Sequence, residues 1–165
     1  MTLDARSALN ALNSRDAVRP AEYADIPALV ELGRAFFIAS DMESLAAFCP
    51  ESFAISLHNM IGAEDAILLA AEVAGNVVGF AGAMVFPSYW NSLVRIGQET
   101  FWWVQPDYRG TVGGALLTAL EGEAKARDAR TFLMVSLEAL RPEAVGLLYE
   151  RRGYVPLEHS YWKAL

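Results

Sequence analysis

One cysteine, Cys49, and two histidines, His58 and His159, are all the thiol and imidazole that the 165 residues contain. A single cysteine cannot close a disulfide within the chain, which excludes a disulfide framework. It also sets the expectation of a reducing, cytoplasmic setting. No His, Cys and carboxylate cluster stands at metal-ligand spacing, so no metal is expected. Basic residues are short as well. Thirteen Lys and Arg stand against twenty Asp and Glu, a net charge of −7. That balance disfavours duplex nucleic acid, which needs a basic face, so no nucleic-acid partner is expected; it weakly favours a cationic partner. Long apolar runs are missing. Ala66 to Ala71 is typical of the short core segments, far below the roughly 18 residues of a membrane span. No membrane partner is therefore expected. The chain also lacks repeats, low-complexity tracts and linkers. Residues 1–16 carry Asp4, Arg6, Arg15 and Asp16 without an apolar signal region; they read as an N-terminal extension to one domain over 17–165.

What remains is 54% hydrophobic with clear periodicity. Ala17 to Pro20 reads as a first strand, followed by a helix capped by Asp25 with Pro27 in its first turn. Ile26, Leu29, Val30, Leu32, Phe36 and Phe37 give that helix its apolar face. A second helical region runs through Glu43 to Phe48 and resumes after Pro50 as far as Gly62. Ala66 to Val73 and Val77 to Phe86 read as a hairpin turning at Gly75-Asn76. Gly79 and Gly82 in the second arm imply a bend or a close backbone approach. Another strand runs from Arg95 to Val104, then a helix through Leu116, Leu117, Leu120 and Ala124. Thr131 to Leu137 reads as a buried strand, and Pro142 to Arg152 as a helix stopped by Gly153. Val155 to Leu157 and Tyr161 to Ala164 read as short closing strands. The order βααβββαβαβ(β) predicts an α/β domain with a mixed sheet.

The segment WWVQPDYRGTVGGALLTALE, Trp102 to Glu121, carries the chemistry. A strand, a glycine-rich turn and a helix start together form an anion site, because the free N–H groups and the helix dipole both favour negative charge there. Glycine lets the main chain approach a phosphate closely, and Arg109 adds a forked cationic donor. The spacing is neither that of a P-loop nor that of G-x-G-x-x-G, since the glycines stand at 110, 113 and 114. Geometry alone would equally explain the turn as a tight strand-to-helix connection.

Gln105 to Gly114 resembles the acyl-CoA loop of the GNAT acetyltransferases, whose pattern is Arg/Gln-x-x-Gly-x-Gly/Ala. Leu147-Leu148-Tyr149-Glu150-Arg151-Arg152-Gly153-Tyr154 resembles that family's Leu-Tyr-Glu-x-x-Gly-Phe helix end, and Ala17 to Phe37 resembles its first strand and helix. The motifs follow in the family's order from Ala17 to Leu165. Two positions depart from the pattern. Val112 stands where most members have glycine, and Pro142, beside Arg141, stands where many have asparagine.

The resemblance implies a GNAT fold: a mixed central sheet with a splayed parallel pair, flanked by helices. The strands ending at Val104 and Leu137 should run parallel and part, leaving a slot for the pantetheine arm. The resemblance further implies acetyl-CoA as cosubstrate and transfer of its acetyl group to an amine of a small molecule or a peptide. A homodimer is compatible with this reading. Trp102, Trp103 and Val104 would line the arm. Arg109, Gly110, Thr111, Val112, Gly113, Gly114 and Ala115 would hold the pyrophosphate, with Arg141 nearby. Tyr149 takes the place of the acid that protonates the leaving thiolate; the plain alternative is a core aromatic with a satisfied hydroxyl. For the base, Gln98 and Glu99 stand at the relevant strand position. Only one can face inward, and a bulge would favour Glu99. Phe37, Tyr89, Trp90 and Asn91 are the aromatic and polar residues placed to meet an acceptor. Two other readings stay open: a non-catalytic acyl-CoA-binding or regulatory module on the same fold, and a purely structural α/β domain.

Overall fold

The computed structural model describes residues 18–163. Its sheet has five strands in sequence order: β1 (Val18–Pro20), β2 (Ala66–Val73), β3 (Asn76–Pro87), β4 (Arg95–Val104) and β5 (Ala129–Leu133). The first three pairings are antiparallel, and β4 with β5 is parallel. The helices are α1 (Ile26–Ala39), α2 (Pro50–Met60), α3 (Thr111–Ala126) and α4 (Pro142–Arg151). The mixed sheet expected from the sequence is therefore present, and α3 makes the crossover between the parallel strands.

Two apolar layers sandwich the sheet. On one face Leu29, Val30 and Leu32 of α1 and Leu57 of α2 meet Leu68, Ala70, Phe80, Phe101 and Trp103. On the other, Val112, Leu116, Leu120 and Ala124 of α3 meet Ile67, Leu69, Ala81, Ala83, Val85 and Val104. This alternation is why β2 and β3 read as nearly continuous apolar runs: both faces are covered. Gly79 and Gly82 are close approaches, as expected. A Cβ at Gly79 would lie 2.9 Å from the Val104 side chain, and one at Gly82 would collide with the Phe101 ring.

Asp25 begins α1, but its carboxylate does not cap the free amides of that helix. It turns back to Arg19 at 2.7 and 2.9 Å and to the Glu22 amide at 2.8 Å. Arg19 also reaches Glu72, so β1, β2 and the start of α1 are tied by one guanidinium. That guanidinium holds the buried Asp25 carboxyl below its ordinary value.

Several boundaries differ from the sequence reading. The hairpin turn is Ala74-Gly75, one residue earlier than Gly75-Asn76. Both residues have positive φ, 51° and 79°, the signature of a twisted two-residue turn, and Val73 pairs directly with Asn76. Between α1 and α2 only Met42–Ser44 is helical, as one 3₁₀ turn. β5 spans Ala129–Leu133 and does not reach Leu137. Its ladder with β4 ends at Leu133, opposite Gln98, although β4 itself continues to Val104, so the two strands part there. No closing strand forms among residues 154–163, and Val155, Leu157, Tyr161 and Trp162 are exposed. Pro156 removes a ladder donor from that segment, and the outer edge of β5 stays unpaired. The N-terminal extension, with Ala17 and Ala164, lies outside the described residues.

Candidate active site

The site is built around one irregularity in β4. Gly82 of β3 pairs with Phe101, and Ala83 pairs with Glu99, so Thr100 is an extra residue on β4. A bulge of this kind reverses the alternation of side chains beyond it. Phe101 and Trp103 consequently enter the α1/α2 layer, while Trp102 packs on the α3 side. Glu99 sits opposite Ala83, a member of the α3-side layer. Glu99 and Trp102, three residues apart, thus share a face that a regular strand would deny them. Gln98 falls on the exposed side, opposite Met84. Of the two proposed bases only Glu99 points inward.

Glu99 is 8% exposed. Its Oε2 accepts a hydrogen bond from the Val135 amide at 3.0 Å. The hydroxyl of Tyr149, in the last turn of α4, donates to the Val135 carbonyl at 2.8 Å. One residue beyond the end of β5 is therefore gripped on both its polar groups, from β4 on one side and α4 on the other. This happens where β4 and β5 have stopped pairing. Val135 itself is 44% exposed. Leu147, in the same helix as Tyr149, is 53% exposed. Tyr149 is held by its ring, 6.2 Å from Trp102 and 5.5 Å from Tyr154.

The electrostatics follow from burial. Desolvation pushes the Glu99 carboxyl up to about 7, only partly offset by the Val135 amide. A carboxyl there exchanges its proton near neutral pH, the range in which a general base works best. Burial, reinforced by the nearby Glu99 charge and by Tyr154, raises the Tyr149 phenol well above its ordinary value. It remains a proton donor throughout the neutral range. A carboxyl and a phenol, both shifted upward by burial, thus hold the Val135 peptide from its two polar ends.

At the far end of β4, Gln105 donates its amide to Val78 at 2.9 Å, and a 3₁₀ turn (Pro106–Tyr108) leads to Gly110. Gly110 has φ 94° and ψ −99° and is the residue before α3. Such a conformation is open to glycine alone. Gly113 and Gly114 are ordinary helical positions, so the turn depends on Gly110. Gly114 donates to the Gly110 carbonyl at 2.9 Å. The amides of Thr111, Val112 and Gly113 belong to the first turn and have no helix carbonyl to bond. Val112 uses its side chain in the core, at 3% exposure. The place where most family members carry glycine is thus filled by a packing residue whose amide still belongs to the free first turn. Arg152, at the end of α4, donates to the Gly114 carbonyl at 2.9 Å and to Thr118 Oγ1 at 3.1 Å, joining the two helices that flank the gap. Gly110→Ala is expected to cost roughly 1–3 kcal/mol in unfolding free energy. A urea titration checks this; an unchanged midpoint would show that the turn is not strained against side chains.

Other proposed site residues lie further out. Arg141 precedes α4 with a positive φ of 51° and is exposed. Phe37 is half-buried on α1, its ring 5.3 Å from Phe48. Tyr89, Trp90 and Asn91 are exposed in the β3–β4 connection, at the opposite end of β4 from Gly110. The structure brings Glu99, Trp102 and Tyr149 together, and leaves Tyr89, Trp90 and Asn91 outside that cluster. Val135 and Tyr154 are the members that sequence reasoning missed. Tyr154 donates to Glu121 at 2.8 Å, and its place in the family's Gly-Phe pattern was the available signal. Nothing in the sequence marks Val135. Among the described residues no three His, Cys, Asp or Glu groups converge as metal ligands, and no helix is long and apolar enough to cross a membrane.

The model of the Acetyltransferase (GNAT) family matches residues 28–154. Among curated proteins there is no match. Solved structures share the fold at low identity. A ribosomal-protein-alanine N-acetyltransferase from Brucella melitensis biovar Abortus 2308 is 21% identical, with 90% of this chain and 99% of that one covered at a TM-score of 0.67. A predicted acetyltransferase from Clostridium acetobutylicum, solved with acetyl-CoA, is also 21% identical, with 90% and 94% covered at a TM-score of 0.68. AAC(6')-Iy in complex with the bisubstrate analogue CoA-S-monomethyl-acetylneamine is 13% identical, with 90% and 96% covered at a TM-score of 0.72.

Proposed function

The chain belongs to the GNAT acetyltransferase family, and we propose that it moves the acetyl group of acetyl-CoA onto a primary amine by direct attack. The observation that carries this reading is the pair Glu99 and Tyr149, which meet at Val135 in the gap between β4 and β5. The amine nitrogen forms a bond to the thioester carbon and the carbon–sulfur bond breaks. The proton lost by the nitrogen goes to Glu99. The thiolate that leaves takes a proton from the Tyr149 hydroxyl, which must first release the Val135 carbonyl. A main-chain N–H of β4 meets the oxyanion that develops on the carbonyl oxygen. The pantetheine arm runs along β4 on the side of Trp102 and Val104, and the pyrophosphate lies on the free amides of Thr111, Val112 and Gly113.

The acceptor is an amine of a small molecule or of a peptide. Both kinds occur among the similar structures, as a ribosomal-protein-alanine enzyme and as an aminoglycoside-type enzyme bound to an acetylneamine analogue. The net charge of −7 suits a cationic amine. A non-catalytic acyl-CoA-binding module would have no use for a buried carboxylate beside the gap, and Glu99 supplies one. A panel of primary amines, assayed by release of the CoA thiol, tests the reading. Turnover with at least one amine is expected. Tight acetyl-CoA binding without turnover on any would leave a binding module instead.

A further inference from the structure

We infer that Arg109 is a positioning residue for the acyl-CoA turn, acting through Trp103, and not itself a ligand of the phosphates. This rests on the acetyl-CoA reading of the site. The inference comes from the side of the sheet on which the guanidinium lies. The free amides of Thr111, Val112 and Gly113 start α3, and α3 covers the face that carries Trp102 and Val104. Trp103 belongs to the opposite layer, with α1 and α2. The Arg109 guanidinium carbon stands 4.7 Å from the Trp103 ring centroid. Arg109 Nε donates to the Val104 carbonyl at 3.2 Å. The cation thus lies over a ring of the layer opposite α3, while its Nε bond to an in-plane strand carbonyl ties it back to the end of β4.

Trp103 gives this arrangement its rigidity. It is 7% exposed, and its ring lies 5.8 Å from that of Phe36 on α1. Its Nε1 is buried without a partner among the described residues. A fixed ring pressed against α1 therefore sets where Arg109 can stand, and Arg109 is the residue directly before Gly110. The conformation of Gly110, which aims the first turn of α3, is constrained from the preceding residue by a contact that ends on the α1 side. One chain of contacts, Phe36 to Trp103 to Arg109, joins the donor-binding turn to the helix on the far face of the sheet.

A direct phosphate ligand and a positioning residue respond differently to salt and to a second mutation. CoA titrations by calorimetry at low and high ionic strength, on the parent, Arg109→Gln, Trp103→Phe and the double variant, separate them. Trp103→Phe keeps an aromatic in the core, gives up part of its volume there and weakens the face that the cation uses. Arg109→Gln is expected to weaken CoA by about tenfold, within the range of coupling between residues in contact. The same fold-loss should be seen at both ionic strengths, because no charge pair with the ligand was removed. Trp103→Phe should weaken CoA in the same direction, and the double variant should lose less than the two single losses combined. KM for acetyl-CoA should rise in both single variants while kcat stays unchanged. Arg109→Lys, which keeps the cation, should recover part of the affinity. A loss for Arg109→Gln that shrinks as salt rises, with Trp103→Phe silent, would overturn the positioning role and make Arg109 a phosphate ligand. Absence of CoA binding by the parent chain would overturn the acetyl-CoA reading, and this inference with it.

Discussion

Glu99→Gln should lower kcat by about 10²–10⁴-fold, the range for loss of a general base, and should change the pH profile as well. In the parent, kcat/KM should rise with pH on an acid limb near the value of about 7 to which burial pushes the carboxyl. The base acts only when deprotonated, so activity is lost below that value and retained above it. Glutamine cannot titrate, and the limb should vanish with the residual rate flat through neutral pH. A stability signature accompanies it. The folded chain keeps the Glu99 proton to about 7, while the ordinary carboxyl releases it at 4.5. Stability from this group is present below 4.5 and is lost as pH rises to about 7, by on the order of 3 kcal/mol. Above that window the loss is complete and the curve levels. Glu99→Gln should lack this decline. Urea titrations across the window measure it independently of any acceptor. A variant that keeps the parental acid limb would place the base elsewhere.

Tyr149→Phe should lower kcat by about 10²-fold or more, the scale of a lost general acid, with little change in CoA affinity. Phenylalanine keeps the ring contacts to Trp102 and Tyr154, so the arm still meets the same wall. What is removed is the donor, and with it the bond to the Val135 carbonyl. The loss should therefore fall on kcat and not on KM, as for an interaction made only in the transition state. Full activity in this variant would pass the proton to the sulfur through water or the main chain instead.

Much of this arrangement could be read from the chain, for reasons of periodicity. The strands β2 to β4 announced themselves because each is long, apolar and bounded by a turn residue. The glycine turn was legible because Gly110 has no substitute at its backbone angles. The motif around Tyr149 fixed that residue in the last turn of a helix. The inward face of Glu99 was not legible, because it depends on the bulge at Thr100, and a bulge leaves no mark on composition. Two-residue alternation makes Gln98 and Glu99 equal competitors, and only the ladder with β3 decides between them. Val135 was invisible for a related reason. It acts through its peptide group, which every residue has. The place of the Arg109 side chain was not legible either: it lies over the Trp103 ring, a contact that no motif announces. The closing strands failed because alternation and aromatic content favour a strand only where an edge accepts it.

The most direct test of the central claim is a crystal structure of the chain with acetyl-CoA. The account predicts the arm between β4 and β5, with the thioester sulfur within about 3.5 Å of the Tyr149 hydroxyl and the Val135 carbonyl released from it. A cosubstrate bound elsewhere, with Val135 still held by both Glu99 and Tyr149, would contradict it.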